Sequence, residues 1–180
     1  MTSKQDIRRH IREIFRSMTA DQVAAESQAV CEHILSRVHA EGRQGMTILL
    51  YWPMPDEVQT DGIIDILCNE GNTILLPVVV GEDVILKEYH GRDSLRSGAF
   101  GIPEPTGAVF DETRYGNISI AFIPGRAFSS DGRRLGRGKS YYDRLLPAIS
   151  CPKIGVCFHF QIDGNIPAEP HDILMDEVIF

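Results

Sequence analysis

Residues 132 to 144 read Gly-Arg-Arg-Leu-Gly-Arg-Gly-Lys-Ser-Tyr-Tyr-Asp-Arg, placing three glycines, four arginines and a lysine beside two adjacent tyrosines. Glycines let backbone N–H groups turn toward an anion without interference from a Cβ, and Arg134, Arg137 and Lys139 bring positive charge to where phosphoryl oxygens would lie. A helix starting near Lys139 would add the positive end of its dipole. Asp143, just past the cationic stretch, is a natural magnesium ligand, because magnesium bridges phosphates to one or two carboxylates. The segment predicts a grip on the phosphates of a nucleotide. It is not a Walker A loop: that motif needs a glycine five residues before Gly138, where Arg133 stands, and Gly132 comes one residue too early. The plain alternative is a surface turn rich in Gly and Arg, and the Tyr141-Tyr142-Asp143 continuation argues against it.

The elements that must position this loop follow from periodicity. Ile7, Ile11, Ile14, Phe15 and Met18 form one apolar stripe on a helix over residues 3 to 17, with Lys4, Arg8, Arg9, Arg12 and Arg16 on its other faces. Thr19 caps a second helix with Gln22 three residues on, and Gly42 and Gly45 close it. Residues 46 to 52 and 73 to 80 read as buried strands on either side of a short helix capped by Thr60, which makes a β-α-β unit. Residues 84 to 89 read as an edge strand and the Gly- and Pro-rich stretch 91 to 116 as loop. Further strands are expected at 118 to 123, 154 to 160 and 177 to 180, with helical character at 141 to 146. This alternation predicts an α/β fold with an open, mostly parallel sheet, whose ligands bind beyond the carboxyl ends of the strands. Asp56-Glu57 and the segment after Pro124 both leave such ends, so one site can be built from both.

The 180 residues suit one domain, residues 1 to 180, in which folding removes roughly 70% of the unfolded chain's surface from water. A net charge of −7 disfavours a polyanionic partner such as nucleic acid or an acidic membrane. Four cysteines without metal-finger spacing read as reduced core residues, and no apolar run approaches a membrane span or a signal peptide, so the cytoplasm is the expected location.

Arg134 to Arg144 resembles the signature of the 5-formyltetrahydrofolate cyclo-ligase family, also called methenyltetrahydrofolate synthetases. The resemblance runs over nearly the whole chain: Lys4 and Arg8 on the first helix, Pro55 to Thr60, Gly101 to Pro105, Ile123 to Phe128, and a tail containing Gln161, Glu169, His171-Asp172 and Met175 to Ile179. It implies a three-layer α/β/α domain similar to sugar-phosphate isomerases and CoA transferases that converts 5-formyltetrahydrofolate to 5,10-methenyltetrahydrofolate with ATP and Mg2+; the sequence does not reveal the oligomeric state, and a monomer is the default expectation. By the same resemblance, Lys4, Arg8 and the run Arg134, Leu135, Gly136, Arg137, Gly138, Lys139, Ser140, Tyr141 and Tyr142 bind ATP. Asp143 and Asp176 hold magnesium. Glu57 receives the pterin N–H groups and Trp52 stacks on it, while Arg137, Gly138, Lys139, Ser140 and Tyr141 border both substrates; Arg137, Lys139 and Tyr141 are the catalytic candidates.

Other readings stand beside these: Lys4 and Arg8 as a solvated helix face, Glu57 as a helix-entry charge, Trp52 as core, Asp176 as an exposed terminal carboxylate, and His171-Asp172 as a structural turn. An ATP-independent isomerase or acyl-binding enzyme of the same fold, and an RNA-binding relative, are the rival functions. One departure is visible: the family has glycine where Ser140 stands, and serine would be strained if that position requires positive φ.

Overall fold

The computed structural model describes residues 3–167, 169 and 172–180, with Phe100 described by its backbone alone, so His171 of the expected turn lies outside the described residues. Helix α1 spans Lys4–Ser17 and starts in a capping box, the Ser3 hydroxyl accepting from the Asp6 N–H and the Asp6 carboxylate from the Ser3 N–H. Helix α2 spans Ala20–His39 and starts in the same way through Thr19 and Gln22. It ends three residues before Gly42.

The chain then runs through β1 (Thr47–Leu49), α3 (Asp61–Asn69), β2 (Thr73–Val80), β3 (Asp83–Tyr89), β4 (Leu95–Ser97), β5 (Pro103–Pro105) and β6 (Val109–Phe110). It continues through β7 (Ile120–Pro124), β8 (Ala127–Phe128), β9 (Arg134–Leu135), α4 (Tyr141–Leu145), β10 (Lys153–Val156) and β11 (Glu177–Ile179). Seven strands form the main sheet in the order β11-β10-β7-β1-β2-β3-β6; the first five are mutually parallel and β3 is antiparallel to both its neighbours. Two small ribbons, β4-β5 and β8-β9, stand apart from it.

Both faces of the sheet are buried, as a parallel sheet requires. Ile48, Ile74, Leu76, Ile120, Phe122 and Ile154 face α2 and α3, where they meet Val30, Ile34, Ile64 and Leu67. The alternate residues Leu49, Leu75, Ala121 and Ile123 face the other way, toward Leu145, Leu146, Ile149 and Phe110. Helix α1 makes a third, smaller core in which Ile7 and Ile11 pack on Ala127, Leu135 and Ile166.

Four expectations need correction. Strand β3 is not the edge, because Leu86 and Lys87 pair with Phe110 and Val109; a two-residue strand is too short to leave a period in the sequence, so 91–116 read as loop. Thr60 makes no cap bond: it is fully buried, and its hydroxyl donates to the Tyr51 carbonyl at 2.8 Å. The first strand is three residues long rather than seven. The strand expected to reach Phe160 ends at Val156, because the Gln161 carboxamide accepts from the Phe158 N–H at 2.8 Å and turns the chain.

Candidate active site

The sheet reverses its direction of growth between β1 and β7: β2 lies on one side of this pair, β10 and β11 on the other. At such a switch point the loops leaving two adjacent strands part and open a crevice at their carboxyl ends. Here the crevice is a cleft of about 380 Å³. Tyr51, Trp52, Met54 and Glu57 line it from the β1 side, Pro124, Gly125 and Arg126 from the β7 side, and Ile102 and Glu104 from the ribbon. The cationic loop supplies Arg134, Gly136, Arg137, Lys139, Ser140, Tyr141, Tyr142 and Asp143.

The turn after β7 has little room. A Cβ on Gly125 would come 2.7 Å from the Phe128 ring, so glycine is required for the strand to fold over it. Gln161, 3% exposed, donates from Nε2 to the Gly125 and Arg126 carbonyls at 3.1 and 3.0 Å, and the Arg126 N–H donates to the Leu135 carbonyl at 2.7 Å. These bonds fix the entry to the cationic loop. Arg134, its side chain 5% exposed, then donates to the Pro124 carbonyl at 3.3 Å and to Asp143 Oδ1 at 2.6 Å, with its guanidinium 5.4 Å from the Tyr142 ring centre.

Across the cleft, Arg137 reaches the β1 side. Its Nε and Nη2 donate to Glu57 Oε1 at 3.0 and 2.8 Å, and Nη2 also meets Asp56 Oδ1. Arg126 meets Asp56 Oδ2, and Glu57 Oε2 accepts from the Met54 N–H at 2.9 Å. Burial works to raise the Asp56 carboxyl, but the guanidiniums of Arg137 and Arg126 overcome it and hold it below its ordinary value. Burial likewise works to lower Arg137, and its bonds to Asp56 and Glu57 carry it above the ordinary range. The sequence placed Asp56-Glu57 and the segment after Pro124 at one site but gave Asp56 and Arg126 no role of their own, since partners 70 and 81 positions apart leave no local signal of their pairing.

The loop tip is built differently. Lys139 is exposed and has no ion-pair partner among the described residues. Ser140 takes φ 54° and ψ 20°, the one non-glycine residue at positive φ among those described, as the departure at that position implied. Helix α4 starts at Tyr141, where helical character was expected, rather than near Lys139, and is only five residues long. Gly138 lies at φ 97° against the Arg8 guanidinium.

Helix α1 stands behind the loop. Arg8 Nε donates to the Gly136 carbonyl at 2.9 Å, and burial, with Arg126 nearby, pushes its guanidinium down. Lys4 pairs with Glu169 at 2.8 Å. Leu135 is buried against Ile7 and Ile11 and faces away from the cleft. Trp52 lies at the cleft wall between the Tyr89 ring and the Arg92 guanidinium, 6.2 and 5.5 Å from its ring centre.

Asp143 and Asp176 are not brought together. Asp176 precedes β11 and accepts from the Lys153 N–H at 2.7 Å, at the amino ends of β10 and β11, whereas Asp143 lies in the cleft at the carboxyl ends. No group of three or more His, Cys, Asp or Glu side chains gathers among the described residues. The arrangement fits a magnesium ion held chiefly by phosphates and water with Asp143 as its one carboxylate, and it does not fit Asp176 as a second ligand in the same sphere.

Comparison with known proteins decides the family. The model of the 5-formyltetrahydrofolate cyclo-ligase family matches residues 1–180. The chain belongs to that family. It is 30% identical to the 5-formyltetrahydrofolate cyclo-ligase of Haemophilus influenzae over 98% of this chain and 96% of that one, and 27% identical to the Mus musculus enzyme of the same name over 99% and 94%. Among solved structures, it superposes on the 5,10-methenyltetrahydrofolate synthetase of Aquifex aeolicus with a TM-score of 0.83 and 29% identity, covering 98% of this chain and 88% of that one. As a member of this family the protein is an enzyme of folate one-carbon chemistry. Among the described residues no helix is long and apolar enough to cross a membrane.

Proposed function

We propose that this protein closes 5-formyltetrahydrofolate to 5,10-methenyltetrahydrofolate, with ATP converted to ADP and phosphate. The observation that carries the reading is the pairing within one cleft of a cationic glycine loop, which suits a polyphosphate, with a wall that carries both a buried carboxylate and an indole, which suits a pterin. The chemistry needs both. A formyl oxygen is a poor leaving group; it attacks the γ-phosphorus as the bond to ADP breaks, leaving an N5-iminium phosphate. N10 then adds to the formyl carbon, phosphate leaves with the oxygen, and N10 loses its proton.

No side-chain nucleophile is demanded, so the protein's work is alignment and charge stabilisation. Lys139, exposed and without an ion-pair partner among the described residues, places a cation at the transferring group. Gly136, Gly138 and Ser140 turn backbone N–H groups toward the phosphates, Tyr141 and Tyr142 border the junction of the substrates, and Lys4 and Arg8 support the nucleotide from α1. Glu57 accepts pterin N–H groups and Trp52 offers its ring face. Magnesium, held with Asp143, supplies charge neutralisation to the triphosphate. Monomeric assembly and a cytoplasmic location accompany this reading.

The test is the near-ultraviolet absorbance of the methenyl product when purified protein meets 5-formyltetrahydrofolate with and without Mg-ATP, alongside Lys139→Ala. Product formation that requires ATP, magnesium and Lys139 is expected; product without ATP sinks the reading in favour of an isomerase-like chemistry.

A further inference from the structure

Asp56 and Arg126 have no part in the roles given above, yet they occupy the centre of the charged network. Arg126 is fixed by its own backbone, through the bonds to Leu135 and Gln161, and its side chain is largely buried. Asp56 therefore has one oxygen tied to a guanidinium on a rigid turn and the other to Arg137 on the cationic loop. Apart from Asp56, the Arg137 side chain bonds only to Glu57 among the described residues. Both Glu57 oxygens are engaged, Oε1 by Arg137 and Oε2 by the Met54 N–H.

A pterin that presents N–H donors to Glu57 competes with Arg137 for Oε1. When Arg137 yields, Asp56 alone retains it, and the guanidinium loses half of its compensating charge inside a low-dielectric cleft. A partly buried cation short of a partner attracts an anion strongly. The nearest anion that this reading supplies is the nucleotide triphosphate.

We propose that Asp56 is a positioning residue that keeps Arg137 in the cleft when folate takes Glu57, so that folate binding strengthens nucleotide binding and the reverse. The inference rests on the proposed substrates. Coupling of this kind is reciprocal, since each ligand must change the other's affinity by the same factor. Without Asp56, Arg137 has no fixed tether after the exchange, and Arg126, at 13% exposure, is left with an unpaired charge.

The experiment is calorimetric titration of a non-hydrolysable ATP analogue with magnesium, in the presence and absence of saturating 5-formyltetrahydrofolate, with turnover recorded separately. For the wild-type chain the nucleotide Kd is expected to fall about fivefold or more when folate is present, and in Asp56→Asn the two Kd values should agree within about twofold. Asp56→Glu should restore part of the coupling, which a merely structural role would not do. Arg126→Gln, which frees Asp56 from its anchor while leaving the carboxylate in place, should also lose it and serves if Asp56→Asn does not fold. A folded variant that keeps the wild-type ratio, or a wild-type chain that turns over without any coupling, overturns the proposal. Coupling without turnover sustains the tether and overturns the proposed reaction instead.

Discussion

The two walls of the cleft are built on opposite plans. On the β1 wall every charged group has a partner: Asp56 lies between two arginines, and Glu57 between Arg137 and a backbone N–H. At the tip of the cationic loop Lys139 has no ion-pair partner among the described residues, and the next residue is held in a backbone region that serine rarely adopts. A wall whose charges are already neutralised keeps its shape without ligand. A tip with unmatched charge and stored strain is arranged to gain on binding, and residues in sparsely populated backbone regions cluster at functional sites for this reason. Under the proposed reaction, recognition falls to one wall and charge stabilisation to the other.

The contrast can be broken most sharply at Lys139. Lys139→Ala is expected to lower kcat/KM by about 10²–10³-fold, as loss of a single preorganised cation does, while stability changes by less than about 0.5 kcal/mol because the side chain is exposed. Steady-state kinetics with thermal unfolding check both halves. The two aspartates proposed for magnesium come next: Asp143→Asn should raise the magnesium concentration needed for half-maximal rate, whereas Asp176→Asn should leave it unchanged and cost only about 1 kcal/mol of stability from its bond to the Lys153 N–H. Equal shifts in the magnesium titration for both variants would contradict the placement of Asp143 in the cleft and Asp176 outside its lining.

The β1 wall predicts a pH signature. Asp56 titrates below its ordinary value of 3.8 in the folded chain, so its ion pairs stabilise the fold above that value, and the contribution is lost as pH falls through the depressed folded value. Denaturant unfolding from pH 6 downward should therefore show a steeper acid loss in the wild-type chain than in Asp56→Asn, a comparison of order one protonation. The smallest effect lies at the tip. Ser140→Gly removes a left-handed strain of about 1–2 kcal/mol and adds chain entropy worth about 0.4–1, for a net gain of about 0.8 kcal/mol; Ser140→Val, β-branched at positive φ, should lose stability. Thermal midpoints separate the two.

Much of this was legible before any coordinates. Apolar periodicity placed α1, and periodicity with the Thr19–Gln22 capping pair placed α2, because both signals are local, and 73–80 read correctly as β2 because a buried parallel strand is an unbroken apolar run. The cationic loop was legible from composition, and the strain at Ser140 from a single departure in its pattern. What could not be read depends on distant partners. The Asp56–Arg126–Arg137 tether joins segments 70 and 81 residues apart, and Thr60 matched a cap pattern while its buried hydroxyl took the nearer Tyr51 carbonyl. Asp176 stood beside Asp143 in the reading by family pattern alone, which carries no information about which end of a sheet a residue occupies.

Helix α1 makes a last point about time. Its Arg8 bonds to the Gly136 carbonyl, 128 residues later in the chain, and its apolar stripe is covered by Ala127, Leu135 and Ile166. At a ribosome adding about 5–20 residues per second, α1 waits on the order of 10 s for the hairpin that will seat it. Through that interval the nascent chain carries an uncovered amphipathic segment, and the cleft still lacks its cationic wall.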